Sequence, residues 1–392
     1  MISVKQAKQI IQEFTIPDNI QFLPLEEASG LVVACDIIAS VSIPNFKQSS
    51  MDGYALKYDD RYKTLQVKGE MAAGATKPVT TGDGEATRIF TGAPLPDGAD
   101  TVVMQEKTTI ENGLLKIYDE NLVRGANVRN KGSEVTEGQI AMQKGTLLTP
   151  AAIGFLGGIG CTEVPVYSPP KVCLILTGNE LQQPGCALKF GQVYESSSFQ
   201  LKAALQKVGI NNIMVVKAED DKATLTKTLN NVLEAHHIVL LTGGVSVGDY
   251  DFVPEAAKAC GVTQHFHKIK QKPGKPLYFG TKESKMVFGL PGNPSSSLTC
   301  YYEYVLPALE AAMHLPGSVR QVTAVATHDY SKTAGLTHFL KAFYNGVSVT
   351  PLHAQESYRL HSFAQANCFI VLEETATGCK KGEEATVHLL PV

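Results

Sequence analysis

The chain has 392 residues, 44% hydrophobic and 19% charged, with 35 basic against 38 acidic side chains and a formal net charge of -3. That balance suits several folded domains with real cores and excludes a general nucleic-acid binder, which needs a positive surplus. Its eight cysteines form no C-x-x-C pair, no apolar run reaches the roughly 18 residues of a membrane span, and the first residues lack a signal-peptide stretch. The expectation is a cytoplasmic protein with reduced thiols and neither a zinc site nor a dithiol centre.

The first 45 residues open with a helical pattern (Val4, Ala7, Ile10, Ile11, Phe14) that ends before Pro17, followed by a second helix-like piece from Pro24 to Gly30. From about 46 to 140 the texture is glycine, proline and short β-type runs, at Thr64 to Val67, Ala86 to Thr91, Thr101 to Gln105 and Leu114 to Ile117. Thr149 to Gly160 returns to a small apolar helix, expected to pack back on the N-terminal helices as a connecting module. Lys171 to Thr177 is an unbroken apolar run, the mark of a strand buried on both faces. Helices at Phe199 to Val208, Lys222 to Ala235 and Pro254 to Cys260 alternate with strands at Ile213 to Val216, Ile238 to Thr242 and Gln264 to Lys270. That alternation predicts a mostly parallel sheet covered on both faces, with ligands at the carboxyl ends of its strands. The last 75 residues or so, from Arg320, alternate short strands with turns and read as a small β-barrel or sandwich. The fold class is therefore multidomain α/β plus β: a central three-layer α/β domain, a small β domain, a helical connecting region and a C-terminal β-barrel.

Four loops of the α/β region carry candidate chemistry. T-G-N-E-L places Thr177, Gly178 and Glu180 at a strand's carboxyl end. T-G-G-V-S-V-G-D-Y-D brings Gly243, Gly244, Ser246 and Gly248, whose amides can cradle a phosphate, and Asp249 and Asp251, carboxylates suited to a magnesium ion. A tight turn with aspartates near a helix start explains the same loop. Lys268, Lys270 and Lys272 recur at period two, on one face of a strand, and the turn K-P-G-K-P then presents Lys275. Four ammonium groups make an anion attractor, although lysines also guard edge strands. G-L-P-G-N-P-S-S-S supplies Pro291, Gly292, a capping Asn293, Pro294 at the first helical position and Ser295 in the first turn. The pair His265 and His267 reads as structural, because no third metal ligand lies nearby, and no hydrolase triad or nucleophile elbow stands out.

These segments, with P-N-F-K-Q-S-S-M-D-G-Y-A (44 to 55), F-T-G-A-P-L-P-D-G-A-D-T-V-V (90 to 103) and V-R-G-A-N-V-R-N-K-G-S-E-V (123 to 135), resemble the molybdopterin molybdenumtransferases, molybdenum-insertion enzymes related to the gephyrin E domain. The matches run over almost the whole chain and keep the family's order. The resemblance implies insertion of molybdate into adenylyl-molybdopterin with release of AMP, a magnesium ion, and a homodimer with a composite active site. It implies residues 1–45 with 141–167 as a discontinuous helical region, 46–140 as the β domain, 168–315 as the molybdopterin-binding domain and 316–392 as the barrel. Thr177, Gly178, Glu180, Gly243, Gly244, Ser246, Gly248, Pro291, Gly292, Asn293 and Ser295 would then bind the substrate. Glu180, Asp249 and Asp251 would lie at the metal, and Lys272 and Lys275 would meet phosphate or incoming molybdate. Asp52 and Glu134 would reach in from the partner subunit, although Met-Asp-Gly-Tyr also reads as a plain turn. A transient contact with a molybdopterin adenylyltransferase is also implied.

The chain departs from the family pattern in three places. G-S-E, with Ser133 and Glu134, stands for the usual G-E-D; Ser197 replaces a common asparagine; and S-Y-R-L-H-S-F-A-Q-A-N (357 to 367) follows the last domain's motif only loosely. Competing readings are a molybdopterin adenylyltransferase-like enzyme, more distantly a nucleotide deamidase, and a non-catalytic scaffold of the same fold.

Overall fold

A computed structural model describes residues 1–245 and 252–391. The chain divides into two units, Met1–Gln21 with Tyr167–Val392, and Phe22–Val166.

In the first unit the apolar run forms β1 (Val172–Thr177), every residue of which is buried. It is followed in sequence by β2 (Ile213–Ala218), β3 (Ile238–Thr242), β4 (Thr263–His267), β5 (Tyr278–Lys282) and β6 (Lys285–Leu290). These pair in the order β2-β1-β3-β6-β5-β4; the first four are parallel, and β5 and β4 are antiparallel additions at one edge. Alternate residues of the buried strands feed opposite cores, as the two-residue period requires. Val172, Leu174, Ile238, Leu240 and Phe288 face helices Ser197–Lys207 and Leu306–Ala312. Cys173, Ile175, Val239, Leu241 and Val287 face helices Lys222–Ala235 and Val253–Ala259. The three layers of the expected α/β domain are therefore present.

The N-terminal helix Val4–Gln12 starts with a capping box between Ser3 and Gln6 and buries Ala7 and Ile11 in the first of those cores. It thus packs on the α/β sheet. The small apolar helix Pro150–Gly158 belongs to the second unit, where it packs on the Leu25–Glu27 turn of the expected second N-terminal helix. The helical pattern of the first residues is real; its partner could not be read locally, because both surfaces are simply apolar.

The carboxyl-terminal strands close into a five-stranded barrel. Thr337–Tyr344 pairs with Ser348–Pro351, that with Arg320–Ala326, that with Glu384–Leu389, that with Cys368–Leu372, and the last returns to Thr337–Tyr344. Closure removes the free edges that short strands would otherwise expose.

The second unit carries a six-stranded sheet in the order Thr101–Met104, Gly53–Leu56, Glu85–Ile89, Leu65–Met71, Leu114–Ile117, Thr108–Glu111. Two short ribbons accompany it, Gln48–Ser49 with Val128–Arg129 and Ile37–Ile38 with Ile140–Met142. The helix expected from Pro24 to Gly30 reduces to a single 3-10 turn, Leu25–Glu27, between the strand that ends at Pro24 and the positive φ of 80° at Gly30. Among the described residues, no helix is long and apolar enough to cross a membrane.

Candidate active site

Strands β1, β3 and β6 are parallel and in register, so their carboxyl ends, Thr177, Thr242 and Leu290, open at one end of the sheet. The loops that follow them line a cavity of about 630 Å³ with Thr177, Glu180, Gly243, Gly244, Pro291, Gly292 and Asn293. Seven of the residues expected to bind substrate thus meet at one place. Leu181, Val193, Tyr194, Ser196, Ser197, Pro276 and Tyr358 also line the cavity. Sequence reasoning had not named most of these; the only signal for Tyr358 was a loosely matching motif.

The backbone at this end is tightly drawn. The Thr177 hydroxyl donates to the Thr242 carbonyl at 3.1 Å, and the Gly243 amide donates to Leu290 at 3.3 Å. Gly243 has φ +86°, and a Cβ there would lie 2.8 Å from both the Thr177 carbonyl oxygen and its Oγ1. Gly178 has φ +141°, and a Cβ on it would meet both Glu180 carboxylate oxygens at 2.9 Å. Both positions need glycine for conformation and for room. Glu180 is exposed and its carboxylate folds over Gly178 at the cavity. Ser246, Gly248, Asp249 and Asp251 lie outside the described residues. Among the described residues no group of three metal-ligating acids, histidines or cysteines occurs, and Glu180 is the one described member of the expected metal set.

The lysine strand needs correction. Strand β4 ends at His267, and Lys268 takes a positive φ of 77° that breaks the run. Ile269 is buried beside Ile2, and Lys270 pairs with Glu374 at 2.7 Å. Lys272 belongs to a different pairing, Gln271–Lys272 alongside Thr337–Tyr344 of the barrel. The three lysines therefore share no strand face. Lys272 and Lys275 are exposed, and neither has an ion-pair partner among the described residues. Buried Gln271 holds their turn: its side-chain amide donates to Pro273 and Gly274 carbonyls at 3.1 Å each, and its oxygen accepts from the Tyr304 hydroxyl. Lys272 lines a second cavity of about 280 Å³ with Tyr330, His338 and Glu356.

Asn293 sits at the N-cap of helix Pro294–Cys300, but its side chain makes no cap bond. Its Nδ2 donates instead to Ser357 Oγ on the barrel at 3.0 Å, so the capping expectation fails in favour of a tie to another loop. Ser295 is fully buried, and its hydroxyl has no partner among the described residues. His265 bonds Thr281 Oγ1 at 2.7 Å and His267 bonds the Val245 carbonyl at 2.8 Å, which makes both structural.

In the second unit, Asp52 is exposed, and its Oδ1 accepts the Thr91 amide and hydroxyl at 2.8 Å each. Those two bonds, with Arg88 nearby, hold its carboxyl below the ordinary carboxylate range. Glu134 is also exposed, and its amide donates to Ile43 at 2.9 Å. The segments carrying the two acids flank one ribbon, in which Ser49 faces Val128. Thr91 lies in the quoted F-T-G-A-P segment but was given no role there, and Arg88 bears no motif of its own.

The domain family described as "MoeA N-terminal region (domain I and II)" matches residues 2–160. "Probable molybdopterin binding domain" matches 173–311, and "MoeA C-terminal region (domain IV)" matches 323–390. The chain is 33% identical to the molybdopterin molybdenumtransferase of Haemophilus influenzae, with all of both chains covered. It is 32% identical to the same enzyme of Staphylococcus aureus strain MRSA252, over 99% of this chain and 95% of that one. The molybdopterin biosynthesis moea protein of Pyrococcus horikosii has a similar structure, with a TM-score of 0.83 at 30% identity over 99% of each chain.

Proposed function

This chain belongs to the molybdopterin molybdenumtransferase family, and on that premise we propose that it inserts molybdenum from molybdate into adenylyl-molybdopterin, releasing AMP and completing the molybdenum cofactor. The observation that carries this reading is the convergence of three glycine-bearing loops and Glu180 on one cavity at the carboxyl end of the sheet.

The substrate's phosphoanhydride is anionic and needs cations and backbone amides that cost no reorganisation. Gly243 and Gly244 let the backbone approach it closely, and Ser295 would add a hydroxyl that has no partner among the described residues. The ammonium groups of Lys272 and Lys275, which have no ion-pair partner among the described residues, are available to phosphate or incoming molybdate. The carboxylates of Glu180, Asp249 and Asp251 are hard oxygen donors that suit magnesium, and the room Gly178 leaves over the Glu180 carboxylate fits that use. When bound, such an ion would neutralise charge on the anhydride. We further propose a homodimer in which Asp52 and Glu134 of one subunit complete the partner's site, cytoplasmic residence, and transient contact with a molybdopterin adenylyltransferase that hands over the substrate.

The test is direct: purified protein with magnesium and molybdate should release AMP from adenylyl-molybdopterin. Unchanged substrate in the presence of folded protein would sink the proposal. Consumption of ATP with free molybdopterin would move the assignment to the adenylyltransferases.

A further inference from the structure

Lys341 is 2% exposed, on the barrel strand Thr337–Tyr344, and makes no ion pair among the described residues. Burying an ammonium without a counter-charge is costly, and a strand that needed only packing would carry an apolar side chain there. Its burial depresses the lysine's proton affinity, with nearby Glu356 opposing that and Arg359 adding to it. The ammonium spends its three donors on one loop, to the carbonyls of Ala354 at 2.8 Å, Arg359 at 2.9 Å and Glu356 at 3.5 Å. Gln355 ties the same loop to the strand: it accepts the Lys341 amide at 3.0 Å and donates to the Lys341 and Leu352 carbonyls at 2.8 and 2.7 Å. Ser362 closes the far end by donating to Ala354 at 2.9 Å.

This loop of residues 352–362 has little regular structure, so its shape depends on those ties. Ala354 holds a left-handed φ of 59° within it. Ser357 accepts the Asn293 amide, and Tyr358 lines the cavity of Thr177, Glu180 and Gly243. Ala354, Gln355 and Glu356 line the cavity of Lys272.

We propose that Lys341 is a positioning residue for the substrate site: its buried ammonium fixes the 352–362 loop so that Tyr358 forms the barrel-side wall of the anhydride pocket and Ser357 holds Asn293 at its edge. Lys341 acts only through the wall, so its loss weakens the hold on substrate. The inference rests on the function proposed above.

The experiment compares equilibrium binding of adenylyl-molybdopterin to the full-length wild type, Lys341→Met, Tyr358→Ala and the double variant. Lys341→Met should weaken binding about tenfold, with cooperative unfolding retained and faster hydrogen exchange confined to the loop. The double variant should bind no worse than the weaker single one, because both changes remove the same wall. Unchanged affinity in Lys341→Met, or losses that multiply in the double variant, overturns the proposal. Should Lys341→Met fail to fold, Gln355→Ala cuts the same loop from the strand with the lysine intact, and unchanged affinity there is equally fatal. A wild type that binds the probe but releases no AMP defeats the proposed function and leaves the affinity comparison standing. A wild type that does not bind overturns both.

Discussion

The sheet loops and the barrel loop reach the same cavity on different kinds of support. Thr177, Thr242 and Leu290 are the last residues of strands buried on both faces, so the loops after them inherit the position of the unit's largest core. Tyr358 and Ser357 sit on an irregular loop whose place depends on one buried ammonium, one glutamine and one serine. Groups that must meet reacting atoms closely profit from the first kind of support, whereas a wall that confines the substrate tolerates the second. The chemistry should accordingly fail when the sheet loops change, and affinity should soften when the barrel loop does.

The largest effect expected is from Glu180→Gln, which should cut AMP release about 100-fold with the unfolding temperature unchanged, since Glu180 is exposed. Steady-state AMP release and calorimetry check this together; near-wild-type turnover would move the acidic end of the site elsewhere. The same variant sharpens the proposal of a shared site. Mixing it with inactive Asp52→Ala subunits should restore about a quarter of wild-type activity, because half the dimers would be mixed and each would hold one intact site. No recovery after verified subunit exchange would place both acids in the same chain's site.

A smaller loss should follow Gly243→Ala. The new methyl would press on the Thr177 carbonyl and hydroxyl at 2.8 Å in a left-handed conformation, costing about 2 kcal/mol. A lowered denaturant midpoint with reduced turnover is expected, and unaltered stability would show that these strand ends are looser than described.

An effect absent at neutral pH, and so the smallest there, concerns the barrel side. Burial, helped by Lys332 and Lys272, pushes the His338 imidazole down from 6.5 to about 4, so it is neutral in the folded protein at neutral pH. Its contribution is complete above pH 6.5. As pH falls towards 4, the unfolded chain takes up a proton that the fold refuses, and stability drops by up to about 1.4 kcal/mol per pH unit. Denaturant midpoints across that range should fall more steeply for the wild type than for His338→Gln. Parallel curves would show that His338 does not titrate as its surroundings require.

Legibility in the sequence followed the same division. The apolar runs marked the central strands, and the glycines after them marked the loops, because both signals are local. The lysine alternation misled because the chain turns at Lys268 and the next residues are claimed by distant partners, Ile2 and Thr337. Asn293 carried a capping signature, yet a serine 64 residues later takes its amide. Lys341 carries no motif that marks it in the sequence, and only the folded loop above it shows why it is buried. The N-terminal helix was readable from its period and its cap, but not the core it joins.

The most direct test of the central claim is a structure of the protein with adenylyl-molybdopterin bound. The account predicts the phosphoanhydride at the carboxyl ends of the central strands, within hydrogen-bond reach of the Gly243–Gly244 backbone and beside Glu180, with Tyr358 against the ligand. A ligand seated away from these loops, with the cavity between Thr177 and Asn293 unfilled, would contradict it.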